Sequence, residues 1–325
     1  MLLHCAGDLL LRCASKRIPA IVGCCWGALV AAVAYWAAIG EQPSCEVFRL
    51  RFERAVEASG RCKLHRWTLH PTYCQDVRIS GVTFDTQGAN SDGIDVDSCQ
   101  RVIINGCAFT TGDDNIAIKS GKGQEGVKVG RPCEDIIITN CTFIKGYVSI
   151  ALGSELSGGI RRVRISHCTF KQGLAALQLK SREGRAGYLE DITAEHLIVG
   201  PTPLLEITAN YRFNPDPQGV SGVDGLTQFR NIRISDVRLD SKRLLSIEGT
   251  TEKPVDGIQI SRVTGTCKQG SVIQNATNVI LKDIRLDGIS GSQYFTNNVA
   301  GTGFEGAVPL RERPPQTDKS LADAH

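Results

Sequence analysis

The chain has 325 residues, 42% of them hydrophobic and 22% charged, which is typical of a globular protein with a sizeable core and excludes a disordered or collagen-like chain. It contains 34 Gly and 13 Cys without a Cys-x-x-Cys pair or zinc-finger spacing, so neither a disulfide-dependent scaffold nor a metal site is expected. The net charge of +3 divides into +4 for residues 1–66 (nine Lys/Arg against five Asp/Glu) and −1 for residues 67–325 (28 against 29), which argues against nucleic-acid binding by the main body.

The segment 1–66 does not share the sequence pattern of the rest of the chain. Positions 18–40 contain no charged residue, and Arg12, Lys16 and Arg17 precede them. An apolar run of this length can span a bilayer, and a positive flank followed by small residues is also typical of a secretory signal. We therefore predict a signal peptide or membrane anchor at 18–40 and a secreted, extracellular or periplasmic location. The alternatives are a buried apolar helix and a misassigned start of the reading frame.

An internal repeat begins after Trp67. Eight segments have apolar residues mostly at their first, third, sixth and eighth places, with small or polar residues at places four and five. The segments are VRISGVTF (77–84), VIINGCAF (102–109), IIITNCTF (136–143), VRISHCTF (163–170), ITAEHLIV (192–199), IRISDVRL (232–239), IQISRVTG (258–265) and VILKDIRL (279–286). Each segment predicts two short strands joined at a two-residue corner.

A second apolar pattern recurs behind the earlier segments. Its members are pairs spaced i, i+2, as strands require: Ile94/Val96, Ile116/Ile118, Ile150/Leu152, Leu177/Leu179, Leu205/Ile207 and Leu245/Ile247. Because both patterns advance along the chain in nearly equal steps, they predict one supersecondary unit that is stacked repeatedly. The sequence thus predicts an all-β parallel β-helix over residues 67–300, followed by a disordered tail at 301–325. Cys107, Cys141 and Cys168 all occupy place six, where an inward stack of small hydrophobic side chains is expected.

Three carboxylates are predicted to share one patch of this solenoid. Asp92 and Asp114 each lie two residues before an apolar pair of the second pattern, and Asp113 lies one residue earlier than Asp114. Stacked rungs would bring all three together, and their repulsion would raise the pKa of at least one member. A protonated carboxyl beside an ionised one is the apparatus for glycoside hydrolysis. A calcium site and a solvated acidic turn are the alternatives.

Two further side chains lie on the same face, two rungs beyond the carboxylates. Gln178 and Lys180 flank the inward Leu179 and therefore point out of the solenoid. We expect Lys180 to contact an anionic group of a substrate, with a solvated surface charge as the alternative. Arg182, Arg185 and Tyr188, in the loop that follows, are expected to line a sugar-binding groove.

These residues form motifs that resemble the polygalacturonases of glycoside hydrolase family 28. The motifs are Asn90-Ser91-Asp92-Gly93, Gly112-Asp113-Asp114, Gly153-Ser154-Glu155, Leu177-Gln178-Leu179-Lys180-Ser181 and Gly184-Arg185-Ala186-Gly187. The resemblance runs from about residue 67 to residue 199, and more loosely to about residue 286. It implies a right-handed, pectin-lyase-like β-helix that hydrolyses α-1,4-galacturonosyl links of pectin with inversion and without a cofactor. The expected partner is a cell-wall polysaccharide, and we expect a monomer.

The resemblance also assigns roles to individual residues. Asp113 corresponds to the general acid, Asp92 and Asp114 to the pair that activates water, and Lys180 to the lysine that binds the galacturonate carboxylate.

Two positions depart from the family pattern. Tyr147 stands where the family has the histidine of Gly-His-Gly, and Gln178 replaces the arginine of Arg-Ile-Lys. We therefore expect reduced activity and weaker selection for a uronate, so that the substrate is polygalacturonate or a less acidic polymer such as rhamnogalacturonan. The alternative is a catalytically impaired β-helix that binds polysaccharide or serves in adhesion.

Overall fold

The structure is a computed structural model that describes residues 67–213, 215 and 218–310, and the backbone of three strands before residue 49. A short helix, α1, spans Gly123–Val129, and a 3-10 turn spans Val223–Gly225. In chain order the strands are β1 (Asp8–Cys13), β2 (Lys16–Ile21), β3 (Ser44–Phe48), β4 (Gln75–Ser80), β5 (Thr83–Asp85), β6 (Ile94–Asp97), β7 (Gln100–Asn105), β8 (Ala108–Thr110), β9 (Ile116–Lys119), β10 (Cys133–Thr139), β11 (Thr142–Lys145), β12 (Ile150–Gly153), β13 (Ile160–Ser166), β14 (Thr169–Gln172), β15 (Leu177–Lys180), β16 (Tyr188–Val199), β17 (Leu205–Thr208), β18 (Gln228–Arg243), β19 (Leu245–Glu248), β20 (Val255–Gln269), β21 (Ser271–Asp287), β22 (Tyr294–Thr302) and β23 (Val308–Pro309).

From β4 onward the strands form a right-handed parallel β-helix, as predicted. Each rung contributes a strand to each of three faces, and every strand pairs in parallel with its equivalent in the next rung. The first face begins β4, β7, β10, β13, the second β5, β8, β11, β14, and the third β6, β9, β12, β15, β17, β19. The predicted register is confirmed, because Ile94 pairs with Ile116, Ile116 with Ile150 and Ile150 with Leu177.

The corners between faces have a defined backbone conformation. The fifth place of all eight repeat segments has a φ between +52° and +65°, in the left-handed region that Gly, Asn and Asp tolerate best. This explains Gly81, Gly106 and Asn140 at that place. A second left-handed position, which the sequence pattern did not reveal, lies directly before the first place of each segment, and Arg101 and Arg162 adopt it.

The core consists of ladders of like side chains that run along the solenoid. Phe84, Phe109, Phe143 and Phe170 occupy place eight and stack with ring centroids 4.9, 5.1 and 4.9 Å apart. The predicted inward stack at place six is confirmed, since Cys107, Cys141 and Cys168 are at most 2% exposed. A second cysteine ladder consists of Cys74, Cys99 and Cys133, of which Cys99 and Cys133 are free thiols, as are the three cysteines at place six.

The two ends of the solenoid differ from the expected boundaries. Strand β22 continues to Thr302, β23 pairs with it, and Phe304 packs partly buried against the core. Residues 301–310 therefore belong to the solenoid rather than to the predicted tail, and residues 311–325 lie outside the described residues.

At the other end, the backbone of β3 pairs in parallel with β4 and thus joins the first face. Residues 18–21 of the apolar run lie in β2, which pairs antiparallel with β1, and residues 22–40 lie outside the described residues. In the parts of the chain that the structure describes, no helix has the length and apolar character of a membrane span. The predicted signal peptide or anchor stays a prediction.

We expect the phenylalanine ladder to stabilise the solenoid. Phe109 is fully buried between two other rings, so Phe109→Ala leaves a cavity and is expected to cost about 3–5 kcal/mol in the free energy of unfolding. Phe213 is 48% exposed, and Phe213→Ala is expected to change stability by less than about 1 kcal/mol. Urea unfolding monitored by circular dichroism measures both. Equal destabilisation by the two variants would contradict the ladder's role.

Candidate active site

The structure brings Asp92, Asp113 and Asp114 together at the corner that leads into the third face. The N–H of Gly93 donates to the carbonyl of Asp114 at 3.0 Å, which fixes Asp92 and Asp114 at equivalent places of adjacent rungs. Asp92 and Asp114 are only 4% and 5% exposed. The predicted juxtaposition of the three carboxylates is therefore what the backbone pairing produces, although the carboxylates are more deeply buried than a solvated turn would be.

The turn that presents Asp113 is fixed by hydrogen bonds. The Asp113 carboxylate Oδ1 accepts the N–H of Asp114 at 2.9 Å, and the Thr111 hydroxyl donates to the Asp113 carbonyl at 2.7 Å. The side-chain amide of Asn115 in turn donates to Thr111 Oγ1 at 2.7 Å. A Cβ at Gly112 would lie 2.2 Å from the carbonyl oxygen of Gly88, so only glycine fits before Asp113. The Asp-Asp pair thus sits on a rigid support.

Two buried lysines partly neutralise the carboxylates. Lys180 Nζ lies 2.9 Å from Asp114 Oδ2. Lys119 Nζ lies 2.7 Å from Asp95 Oδ1 and 4.0 Å from Asp92 Oδ2, and it sits 3.6 Å from the centre of the Trp67 ring. The sequence pattern did not single out Asp95 or Lys119. The signal was present, because both occupy outward places on β6 and β9, beside inward residues that the pattern had identified.

The electrostatics of the patch favour retained protons. Burial raises the pKa of Asp92 to about 9, and the neighbouring carboxylates Asp95 and Asp114 add to this effect. Burial also raises the pKa of Asp113, and the charge of Asp114 acts in the same direction. The pKa of Asp95 rises to about 6 because of burial, against the opposing attraction of Lys119. Asp92 therefore keeps its proton at neutral pH beside Asp114, which is bonded to Lys180, and a neutral carboxyl among other carboxyl groups suits acid–base catalysis.

Tyr147 lies beside the Asp-Asp pair. Its N–H donates to the Asp113 carbonyl at 2.8 Å, so it occupies the place equivalent to Asp113 on the next rung. The side chain is 37% exposed, and burial of the remainder raises the pKa of its hydroxyl. A neutral phenol therefore stands at this place.

Gln178 is buried and engaged with a carboxylate of the next rung. It is 2% exposed, and its Nε2 donates to Glu206 Oε2 at 3.0 Å. Burial raises the pKa of Glu206. Tyr211 lies nearby, with the centre of its ring 5.2 Å from Lys180 Nζ. Glu206 and Tyr211 were not predicted from the sequence, although Glu206 holds the place of Gln178 in the next strand of the third face.

The expectation that Arg185 and Tyr188 line the groove is wrong. Arg185 is 0% exposed and so cannot reach a polymer. Tyr188 packs against Gly159, and the charges nearest to its hydroxyl are those of Arg161 and Glu190 at the first face. A turn that returns the chain to the first face explains both placements. Arg182 donates to the carbonyl of Phe213 at 3.3 Å.

Groups of His, Cys, Asp or Glu arranged to hold a metal ion do not occur among the described residues. The predicted alternative of a calcium site has no donor set there. The carboxylates are contacted instead by the ammonium groups of Lys119 and Lys180.

Comparison with known proteins agrees with the geometry. The family model for glycosyl hydrolases family 28 matches residues 65–302. A probable polygalacturonase from Vitis vinifera is 32% identical over 206 residues, which are 61% of this chain and 41% of that protein. Endopolygalacturonase II from Aspergillus niger is 25% identical over 195 residues, covering 59% of this chain and 48% of that protein.

Two solved structures resemble the solenoid. The hyperthermoactive exopolygalacturonase from Thermotoga maritima superimposes with a TM-score of 0.55 and 27% identity over 73% of this chain and 49% of that chain. The family 28 exopolygalacturonase from Yersinia enterocolitica gives a TM-score of 0.60 at 17% identity over 75% and 44%, which supports the fold. The chain spans less than half the length of these relatives.

The raised pKa of Asp92 predicts an unusual pH dependence of stability. In the unfolded chain Asp92 ionises at about pH 4, whereas in the folded protein it keeps its proton until about pH 9. Between these values unfolding releases a proton, so stability is lost progressively as the pH rises. Asp92→Asn removes this loss, and the Tm difference between the variant and the parent is expected to grow in favour of the variant from about pH 5 to about pH 8.

Asp76→Asn is the matched control. Asp76 is exposed, and its hydrogen bond to Arg101 lowers its pKa, so this variant is expected to show no such growing gain. Thermal unfolding across the pH range measures both variants. A Tm difference for Asp92→Asn that stays constant with pH would contradict the proton assignment.

Proposed function

The chain belongs to glycoside hydrolase family 28, and on that basis we propose that it hydrolyses galacturonosyl links of pectin or a related polymer with inversion. The observation that carries the proposal is the rigid cluster of Asp92, Asp113 and Asp114, with protonated and ion-paired carboxyls side by side. The polygalacturonase relatives support pectin as the substrate class.

The proposed reaction divides the work between the two rungs. Asp113, whose pKa is raised, donates its proton to the glycosidic oxygen as the bond to the leaving sugar breaks. Asp92 and Asp114 act as the pair that takes a proton from the water, which attacks the anomeric carbon from the opposite side. Lys180 Nζ donates to Asp114 Oδ2 at 2.9 Å and has two further N–H groups to offer a sugar carboxylate.

Tyr147 is expected to lower the rate of hydrolysis. A neutral phenol beside Asp113 cannot gain and lose a proton near neutral pH as an imidazole does, so one general acid–base contribution of about 10²–10⁴-fold is absent. We propose a functional but slow hydrolase that acts as a monomer. We further propose secretion, or anchoring through 18–40, on the strength of that apolar run.

A reducing-end assay on polygalacturonate, pectin and rhamnogalacturonan tests the activity. The parent is expected to show weak activity that Asp113→Asn abolishes, because an amide cannot donate the proton that Asp113 gives to the glycosidic oxygen. Tyr147→His is expected to raise the rate by about tenfold or more.

Asp191→Asn serves as the control. Asp191 lies on another face of the solenoid, where its carboxylate accepts a hydrogen bond from the side-chain amide of Asn231. It should leave the rate unchanged. If the parent is inactive and Tyr147→His restores nothing, the hydrolase proposal fails, and binding of the intact polymer would then favour a polysaccharide-binding or adhesion module.

A further inference from the structure

Gln178 has a buried carbonyl oxygen without a partner. Its side chain is 2% exposed on the outward face of β15, and its Oε1 makes no hydrogen bond in the described structure. A buried acceptor that lacks a donor is destabilising, so a ligand that supplies a donor would be stabilised there.

The orientation of this amide is determined by its neighbour. Glu206 holds the equivalent place on β17, and its Oε2 accepts the Gln178 Nε2 at 3.0 Å. Exchanging the nitrogen and oxygen of the amide would place two acceptor oxygens against each other. The amide nitrogen is therefore committed to Glu206, and the oxygen remains free to accept.

The cations around this position each have a partner, and the remaining N–H groups of Lys180 serve the carboxylate of the neighbouring galacturonosyl unit. Lys180 is 2.9 Å from Asp114, and Arg243 donates to the carbonyl of Gly270 at 3.1 Å and to Gln269 at 3.2 Å. Glu248, on the strand after Glu206, is a further carboxylate and accepts the Asn210 amide at 3.0 Å. The polar groups beyond Lys180 are thus mainly acceptors: the buried Gln178 carbonyl oxygen and the carboxylates of Glu206 and Glu248.

A sugar carboxylate and a sugar hydroxyl meet this surface differently. A carboxylate has acceptors only and carries the same charge as Glu206 and Glu248. A hydroxyl group donates, and so satisfies Gln178 Oε1. Sites built to bond a substrate hydroxyl reject analogues that leave their buried polar groups unpaired.

We propose that Gln178 and Glu206 form a subsite for an uncharged sugar unit, which donates hydroxyl hydrogens to Gln178 Oε1 and Glu206 beside the bond that is cleaved. This inference rests on the proposed hydrolase function and narrows its substrate to a polymer that places an uncharged unit next to a galacturonosyl residue. Two chemical sources supply such a unit: a methyl-esterified galacturonate and a neutral sugar such as rhamnose.

Matched oligosaccharides test the subsite. Oligogalacturonides of one length are prepared with free and with methyl-esterified carboxyl groups, and rhamnogalacturonan oligosaccharides form a third arm. The parent is expected to have a kcat/KM at least about tenfold higher on an uncharged-unit substrate than on the free oligogalacturonide. Comparing the methyl-esterified oligogalacturonides with the rhamnogalacturonan oligosaccharides shows which source is used. A preference for the free oligogalacturonide would overturn the proposal.

Variants tie this preference to the two residues. The double variant Gln178→Arg/Glu206→Gln adds a cation and removes a carboxylate, so its preference is expected to move at least about tenfold toward the free oligogalacturonide, mainly through KM. Glu195→Gln removes an exposed carboxylate at a distant corner and should not change the preference. An unchanged ratio in a double variant whose Tm matches the parent would contradict the assignment.

Binding separates the subsite from the catalytic proposal. Calorimetry with Asp113→Asn and the same oligosaccharides reports affinity without turnover. If the parent cleaves nothing but this variant binds the uncharged oligosaccharides more tightly than the charged ones, the hydrolase proposal fails and the subsite stands. Equal affinities for charged and uncharged oligosaccharides would overturn the subsite.

Discussion

The constraint on which this structure depends is the in-register stacking of rungs at one strand spacing, about 4.8 Å. Parallel hydrogen bonding makes the same place of successive rungs adjacent in space, however many residues separate them in the chain. Apolar side chains benefit from this, as the four stacked phenylalanines and the two cysteine ladders show. Like-charged side chains are destabilised by it, because carboxylates at the same place of adjacent rungs lie next to each other and repel.

The site uses the unfavourable side of that constraint. Asp92 and Asp114 occupy equivalent places in a buried corner, where burial raises the pKa of Asp92 and the carboxylates of Asp95 and Asp114 raise it further. Lys119 and Lys180 offset part of the repulsion from opposite sides, each through a contact shorter than 3 Å with one carboxylate. Burial and stacking together therefore supply a protonated carboxyl at Asp92 near neutral pH, and the lysines offset part of the repulsion within the cluster.

The sequence was sufficient for much of this account. Period-two alternation and matched steps between the two patterns determined the register, and the register alone placed Asp92, Asp113 and Asp114 together. The contacts of Lys119 with Asp95 and of Gln178 with Glu206 were missed. All four residues lie at outward places on the third-face strands whose inward residues the pattern had identified. Outward places carry no hydrophobic signal, so the pattern does not show which of them contact one another across rungs. The burial of Arg185 and the left-handed backbone at Arg101 were missed because arginine is rarely fully buried and rarely has a positive φ.

Direct observation of the carboxyl protons would test the central claim, that burial and stacking together raise the pKa values of Asp92 and Asp113. Carbon-13 NMR of side-chain carboxyls, assigned with Asp92→Asn and Asp113→Asn, follows each group through its titration in the folded protein. The account predicts that Asp92 has the chemical shift of a neutral carboxyl at neutral pH and ionises only near pH 9, and that Asp113 titrates above an ordinary aspartate. Ionisation of both groups near about pH 4, as in an unperturbed aspartate, would contradict it.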